Sequence, residues 1–409
     1  MLSKSSIPKI FSLLVIGRLF LKILFENIPF PISPYYFITI GWTISLLLFY
    51  PKILLSKYLI SVYFFVVYFI TLTEFGVYTI EYNRFVERFI VPLFLSISIF
   101  QFYYQTKDNR GLTYLTIISL IFITITAITT IIGLISFPMA ARTMAGSLQR
   151  AGEFELVDKY QKMGIATFSF FSALTFLFPI LIKKYKDGWG IKWKNNLYIV
   201  ALFILMYSFI KAQYTTALVF VLVGSLFAFF SVKNRGQAFF VAFIIGVLFL
   251  IIPSSFIYSL IADIAETSGS SFLQERIYDL QSFMDDSEVG SEASTHIGAK
   301  LSRVPILIDS FLNNILFGSG FGLGHNFWFD WLSKFGFIGL IPWLIILKQQ
   351  ISFNLRRLSK ENRYYYVLSM STFILYGFVN NTGGSHVFII IFFLVPGLLY
   401  MQNGKKIKS

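Results

Sequence analysis

The chain has no cysteine. That excludes disulfides, thiol nucleophiles, iron–sulfur clusters and cysteine-ligated zinc. Histidine is nearly as scarce, and His296, His325 and His386 are too scattered to form a histidine metal site. Charge is the third shortage: only 13% of the 409 residues are Asp, Glu, Lys or Arg, where a soluble chain carries about 25%. In their place stand 56% hydrophobic residues, 19% aromatics, 49 phenylalanines and a mean hydropathy of +0.71. This is the composition of a polytopic integral membrane protein, with phenylalanine facing lipid.

Apolar runs near the ~20 residues that a helix needs to span hydrocarbon occur at 7–25, 35–50, 58–73, 88–104, 112–136, 163–182, 197–213, 215–231, 238–256, 325–348, 364–381 and 385–402. The expected fold is therefore all-α, one integral membrane domain over 1–409 with about 12 transmembrane helices. The first run lacks a small-residue cleavage site and reads as a signal anchor, not a removable leader. No internal repeat points to a transporter fold.

The net charge of +14 suggests nucleic acid until its placement is read. Alternate connections carry Lys4/Lys9, Lys52/Lys57, Lys107/Arg110, the lysines from 183 to 194, Lys233/Arg235, the cluster from Lys348 to Arg363, and Lys405/Lys406/Lys408. The other connections hold most of the acids. Basic residues mark cytoplasmic loops, so both termini are expected in the cytoplasm. The charge is a topology signal, and no nucleic-acid partner is expected.

Two extracytoplasmic loops are long enough to carry function: 137–162 and 257–324. Their arginines are Arg142 and Arg150 in the first, Arg276 and Arg303 in the second. A guanidinium binds phosphate oxygens bidentately and stays charged. Arg142 and Arg303 each lie close to an apolar run, where a charge needs an anionic partner. A pair with Glu153, Glu155, Asp279 or Asp309 would satisfy them equally well.

The second loop ends in the glycine cluster Gly318, Gly320, Gly322 and Gly324, followed by His325-Asn326 and a long apolar run. Glycine permits sharp turns and close ligand approach. A histidine titrates near neutrality and can move protons. At the start of a helix it also stands beside backbone N–H groups that favour an anion. The competing reading is a histidine that only caps the helix. The cluster is no nucleotide loop, because no Lys-Ser/Thr follows and the G-x-G-x-x-G spacing is missing. Asp330, five residues on, points off the histidine's face of a regular helix; it either supports the site or pairs with Lys334. Gly336 and Gly339 read as a small-residue pair for close helix contact. His386 and His296 read as structural or solvated, and Lys211 as a phosphate anchor or a snorkelling lysine.

The run SRVPILIDSFLNNILFGSGFGLGHNFWFDWLSKFGFIGL resembles the signature segment of Wzy-type polymerases of O-antigen and capsule repeat units, relatives of the O-antigen ligases. Arg303, Gly318, Gly320, His325, Asn326, Asp330, Gly336 and Gly339 fall on the family pattern in order. FPMAARTMAG, with Arg142, and the chain end, with Asn380-Asn381 and Pro396, are similar to it as well. The family's proline before the glycines is replaced by Ile315-Leu316.

The resemblance implies an enzyme of the cytoplasmic membrane's outer face. It would join oligosaccharide units carried on undecaprenyl diphosphate, alongside membrane lipids and in some systems a chain-length regulator. His325 would take the acceptor's proton, Arg142, Arg276 and Arg303 would bind the diphosphate, and Asn326, Asp330 and Gly320 would support them. No cofactor or metal is implied. The nearest rival is an O-antigen ligase-like transferase; a flippase would instead need ionisable residues near the bilayer midplane.

Overall fold

The computed structural model describes residues 4–26, 34–76, 85–144, 154–187, 192–212, 214–230 and 303–400. Among these, every regular element is a helix. Each apolar run of the sequence coincides with a helix or a pair of helices, except 238–256, which lies outside the described residues.

Among the described residues four helices are long and apolar enough to cross a membrane: Lys57–Glu74, Val86–Gln105, Asn109–Ser136 and Phe327–Arg357. The pair Phe168–Thr175 and Phe178–Asp187, bent by 48°, makes a fifth if taken as one span. Pro179 sits at the start of its second half, where a residue without an N–H ends one ladder and opens the next. Four more apolar helices are shorter. The chain is thus all-α among its described residues, with the apolar helices of a membrane protein.

By contact it divides into two compact units. The first comprises Met1–Phe229 and Gly339–Ser409, the second Phe230–Ile338.

In the first unit the last helical stretch is the core. From His386 to Leu399 every residue is buried, as a helix apolar on all sides must be. It packs on Val91–Gln105, on Phe168–Thr175 and on Lys360–Val379. Phe388 meets Phe89 edge-on at 4.8 Å, and Phe392 meets Trp343 at 6.1 Å.

The helix contains a π-turn at Ile390–Leu394, just before Pro396; a second π-turn, Val86–Ile90, precedes Pro92 in the same way. A proline ring crowds the carbonyl four residues back, and widening the preceding turn relieves it. Peripheral helices show the opposite pattern. Phe37, Ile40, Ile44 and Leu48 of Pro34–Phe49 are 49–68% exposed along one face. So continuous an apolar stripe suits lipid and not water. Its other face buries Trp42, whose indole N–H donates to the Ser98 hydroxyl at 2.9 Å.

At the opposite end of Val91–Gln105 from that π-turn, Asp108 caps the helix Asn109–Ser136. Its carboxylate accepts the Gly111 N–H at 2.9 Å and pairs with Lys9 at 2.6 Å. Burial penalises the charged form, but the Lys9 hydrogen bond, the Gly111 N–H and the Lys9 charge together outweigh it and hold this carboxyl below its ordinary range. A lowered folded value stabilises the fold above the unfolded carboxyl value of about 3.9 and is lost as pH falls through the folded one. D108N should therefore melt below the wild type at neutral pH in detergent, with the gap closing in acid. A gap independent of pH would rule the ion pair out as its cause.

Candidate functional site

The described part of the second unit begins with the helix Arg303–Asn313 and ends in the first turns of Phe327–Arg357. The apolar run from 325 is not one regular helix. Gly336 interrupts it at φ 63, ψ −167, a region open essentially to glycine alone. A helix broken there strands backbone groups on both sides.

The segment before the glycines satisfies them. Ser319 N–H donates to Ser333 O (2.8 Å) and Gly320 N–H to Lys334 O (3.1 Å). In return Phe337 N–H donates to Ile315 O (2.8 Å) and Ile338 N–H to Leu316 O (3.0 Å). Gly318 lies at this crossing with φ 73, and a Cβ on either glycine would sit 2.4–2.5 Å from the other's nitrogen. Gly336 is thus the break itself, where the sequence suggested a helix-contact pair with Gly339. Two backbones cross where no side chain fits.

Three serines fasten the crossing. The Ser310 and Ser319 hydroxyls lie 2.7 Å apart, and Ser333 donates to Ser310 at 2.9 Å or to the Phe321 carbonyl at 2.9 Å. Sequence reasoning passed over them. Nothing in the order of residues sets these serines apart from the other polar residues of 309–334. Through Ser310 the helix carrying Arg303 is tied to the glycine loop. Arg303 is half-buried in the helix's first turn, seven residues and so ~10 Å along the axis from the knot.

Asp330 is buried, and its carboxylate reaches back to the loop. One oxygen accepts the N–H of Leu323 (2.6 Å) and of Gly324 (2.9 Å); the other accepts that of Asn326 (3.0 Å). The loop donors expected to favour a bound anion are therefore held by the protein's own carboxylate. Residues on both sides of His325 are pinned, while His325 itself is exposed. Asn326 is buried, and its carbonyl accepts the Asp330 N–H at 2.8 Å. The Lys334 side chain lies over Gly322, where a Cβ would meet its Cε at 2.1 Å.

The structure thus gathers Gly320, His325 and Asn326 into one loop, clamps that loop from the following helix through Asp330, and ties Arg303's helix to it. Arg142 belongs to the first unit, in the short helix Ala140–Thr143. Arg276 and His296 lie outside the described residues, as does most of the loop 257–324. Among the described residues no group of His, Asp and Glu has the arrangement of a metal site.

His386 is structural, in the first unit. It is buried, and its Nε2 lies 3.0 Å from the Leu19 carbonyl, so that nitrogen carries the proton and Nδ1 faces the Ser169 hydroxyl at 3.4 Å. The polar break after Lys211 is held by hydroxyls: Tyr376 donates to Tyr214 at 2.9 Å, and Ser172 lies 3.1 Å from Tyr376. Lys211 itself is exposed and stands over the Tyr207 ring at 5.7 Å. No protein-family model matches the chain and no curated protein does, so any functional reading rests on these residues and their geometry.

Proposed function

We propose that the chain is a membrane glycosyltransferase of the Wzy type, polymerising oligosaccharide repeat units carried on undecaprenyl diphosphate. In this reading it crosses the cytoplasmic membrane about 12 times with both termini inside, and its long loops face out. The observation that carries the reading is the loop around His325: an exposed imidazole whose neighbours are fixed by three backbone hydrogen bonds to Asp330. A proton acceptor works best when its position is settled before substrate arrives.

The step balances without a cofactor. The acceptor sugar's hydroxyl oxygen attacks the donor's anomeric carbon and forms the new glycosidic bond. The carbon–oxygen bond to the diphosphate breaks, and its electron pair leaves with undecaprenyl diphosphate. His325 receives the hydroxyl proton. Arg142, Arg276 and Arg303 stabilise the charge growing on the diphosphate, a contribution of ~10²–10³ in rate for each donor lost.

The test compares glycan length in cells carrying H325A or R303A at equal membrane abundance. The expected result is collapse of long polysaccharide to single repeat units. Full-length polymer from either variant would remove that residue from the mechanism. Long chains that accumulate unattached in a strain lacking the protein would identify a ligase instead.

A further inference from the structure

The inference concerns two helix ends in the first unit, the start of Lys57–Glu74 and the end of Phe327–Arg357. Lys57, Arg356 and Arg357 belong to separate basic connections in the sequence, and the fold brings them to one ring. Lys57 Nζ stands over the Tyr58 ring at 5.5 Å, and the charges of Arg357 and Arg356 both act on the Tyr58 hydroxyl. All three cations are exposed. Among the described residues none of them pairs with a carboxylate. Glu361, the acid nearest Arg357 in sequence, lies 3.3 Å from Lys183 instead.

Arg357 is seated with more contacts than a surface charge needs. Its guanidinium lies 4.1 Å from the centre of the Phe353 ring and 5.2 Å from that of Tyr104, distances at which a ring face attracts a cation. Its Nε donates to the Tyr104 hydroxyl, and Nη1 donates to the Phe353 carbonyl at 3.3 Å. A cation that only marks topology is satisfied by reaching into water. Here the planar fork is fixed, and its Nη2 donors take no partner among the described residues, which leaves one edge open to an oxyanion. Beside it, the Tyr400 ring lies 6.1 Å from that of Tyr104, and the Tyr400 hydroxyl is buried without a hydrogen-bond partner. Such a donor is costly until it meets an acceptor.

The neighbouring surface defines the anion. Ile60, Phe64 and Val67 of Lys57–Glu74 are 55–62% exposed. They follow Lys57 at helical spacing on one face, so the lysine crowns an apolar stripe of its own helix. Cations at the end of such a stripe match a phospholipid, with acyl chain along the stripe and phosphate at the basic groups.

We propose that Arg357, flanked by Lys57 and Arg356, is a binding site for the phosphodiester of an anionic phospholipid headgroup. The site does not depend on the polymerase reading. Lipid retention and glycan elongation are separate measurements, and either can fail alone.

The experiment is native mass spectrometry of the full chain in detergent, titrated with dioleoyl phosphatidylglycerol or dioleoyl phosphatidylcholine. The wild type should retain phosphatidylglycerol in preference to phosphatidylcholine. K57Q and R356Q, which remove charge without touching a hydrogen bond, should each weaken that retention about fivefold. R357K should weaken it too, because a lysine keeps the charge and loses the fork. K159Q, which removes a cation from Phe154–Lys162, should leave retention unchanged. A wild type indifferent to headgroup charge overturns the site without any variant. So does K57Q and R356Q retention equal to wild type, or an equal loss in K159Q, which would make the attraction diffuse. A parallel arm compares the melting temperature of lipid-free protein in sodium phosphate and in sodium chloride of equal ionic strength. A rise in phosphate that R356Q abolishes would make the occupant a free ion and overturn the lipid.

Discussion

Gly336→Ala is expected to destabilise the second unit by about 3 kcal/mol or more, adding backbone strain to the loss of crossing hydrogen bonds. Its φ of 63 with ψ of −167 excludes a side chain, and the added Cβ would lie 2.4–2.5 Å from Gly318 N and from the carbonyl of Leu316. These are backbone atoms, so no rotamer change relieves the clash. Relief requires parting the two segments, which breaks the four N–H···O bonds between 315–320 and 333–338. Gly318→Ala should behave alike, since its Cβ would meet Lys334 and Gly336 backbone atoms at 2.5 Å.

Gly324→Ala is the control. Its φ is 75 but nothing lies within 4 Å, so only the left-handed strain of ~1–2 kcal/mol applies. Membrane abundance and detergent melting curves should rank Gly336→Ala and Gly318→Ala well below Gly324→Ala. Equal behaviour of the three would mean that the backbones do not cross.

The second large effect is expected at Asp330. Removing its carboxylate leaves the Leu323, Gly324 and Asn326 amides without their acceptor. Hydrogen bonds to a charged group contribute roughly 1.5–3 kcal/mol each, shared here among three donors on one short loop. D330A should therefore release the loop without unfolding the first unit. In hydrogen exchange, the peptide covering 319–329 should lose at least tenfold in protection while peptides from Ser385–Tyr400 stay unchanged.

If the loop positions His325 for chemistry, glycan elongation should fall in D330A nearly as far as in H325A. D330E should recover part of both losses, because it keeps the charge one methylene out of place. Unchanged exchange in D330A would dispose of the clamp. Changed exchange with normal elongation would keep the clamp and dispose of the role given to His325.

Much of this was legible in the order of residues. Long apolar runs can satisfy their backbone in lipid only as helices, so helical class and membrane character follow from composition and run length. Glycines at 318, 320, 322 and 324 marked a loop, because no regular element tolerates them so densely. What the sequence did not tell was which partner each group would take. Asp330 looked misaligned with His325 on a regular helix, yet its carboxylate turns back to amides four to seven residues before it. Gly336 looked like a helix-contact glycine and is a break that pairs with Gly318, eighteen residues away. Lys183 is one lysine among several in a basic run, and only the packing of Phe178–Asp187 buries it against both Asp187 and Glu361.

Run length and composition act locally, so the chain states them outright. Hydrogen-bond and charge satisfaction are settled between segments distant in sequence, and only their arrangement in space decides which groups are served and which are left waiting.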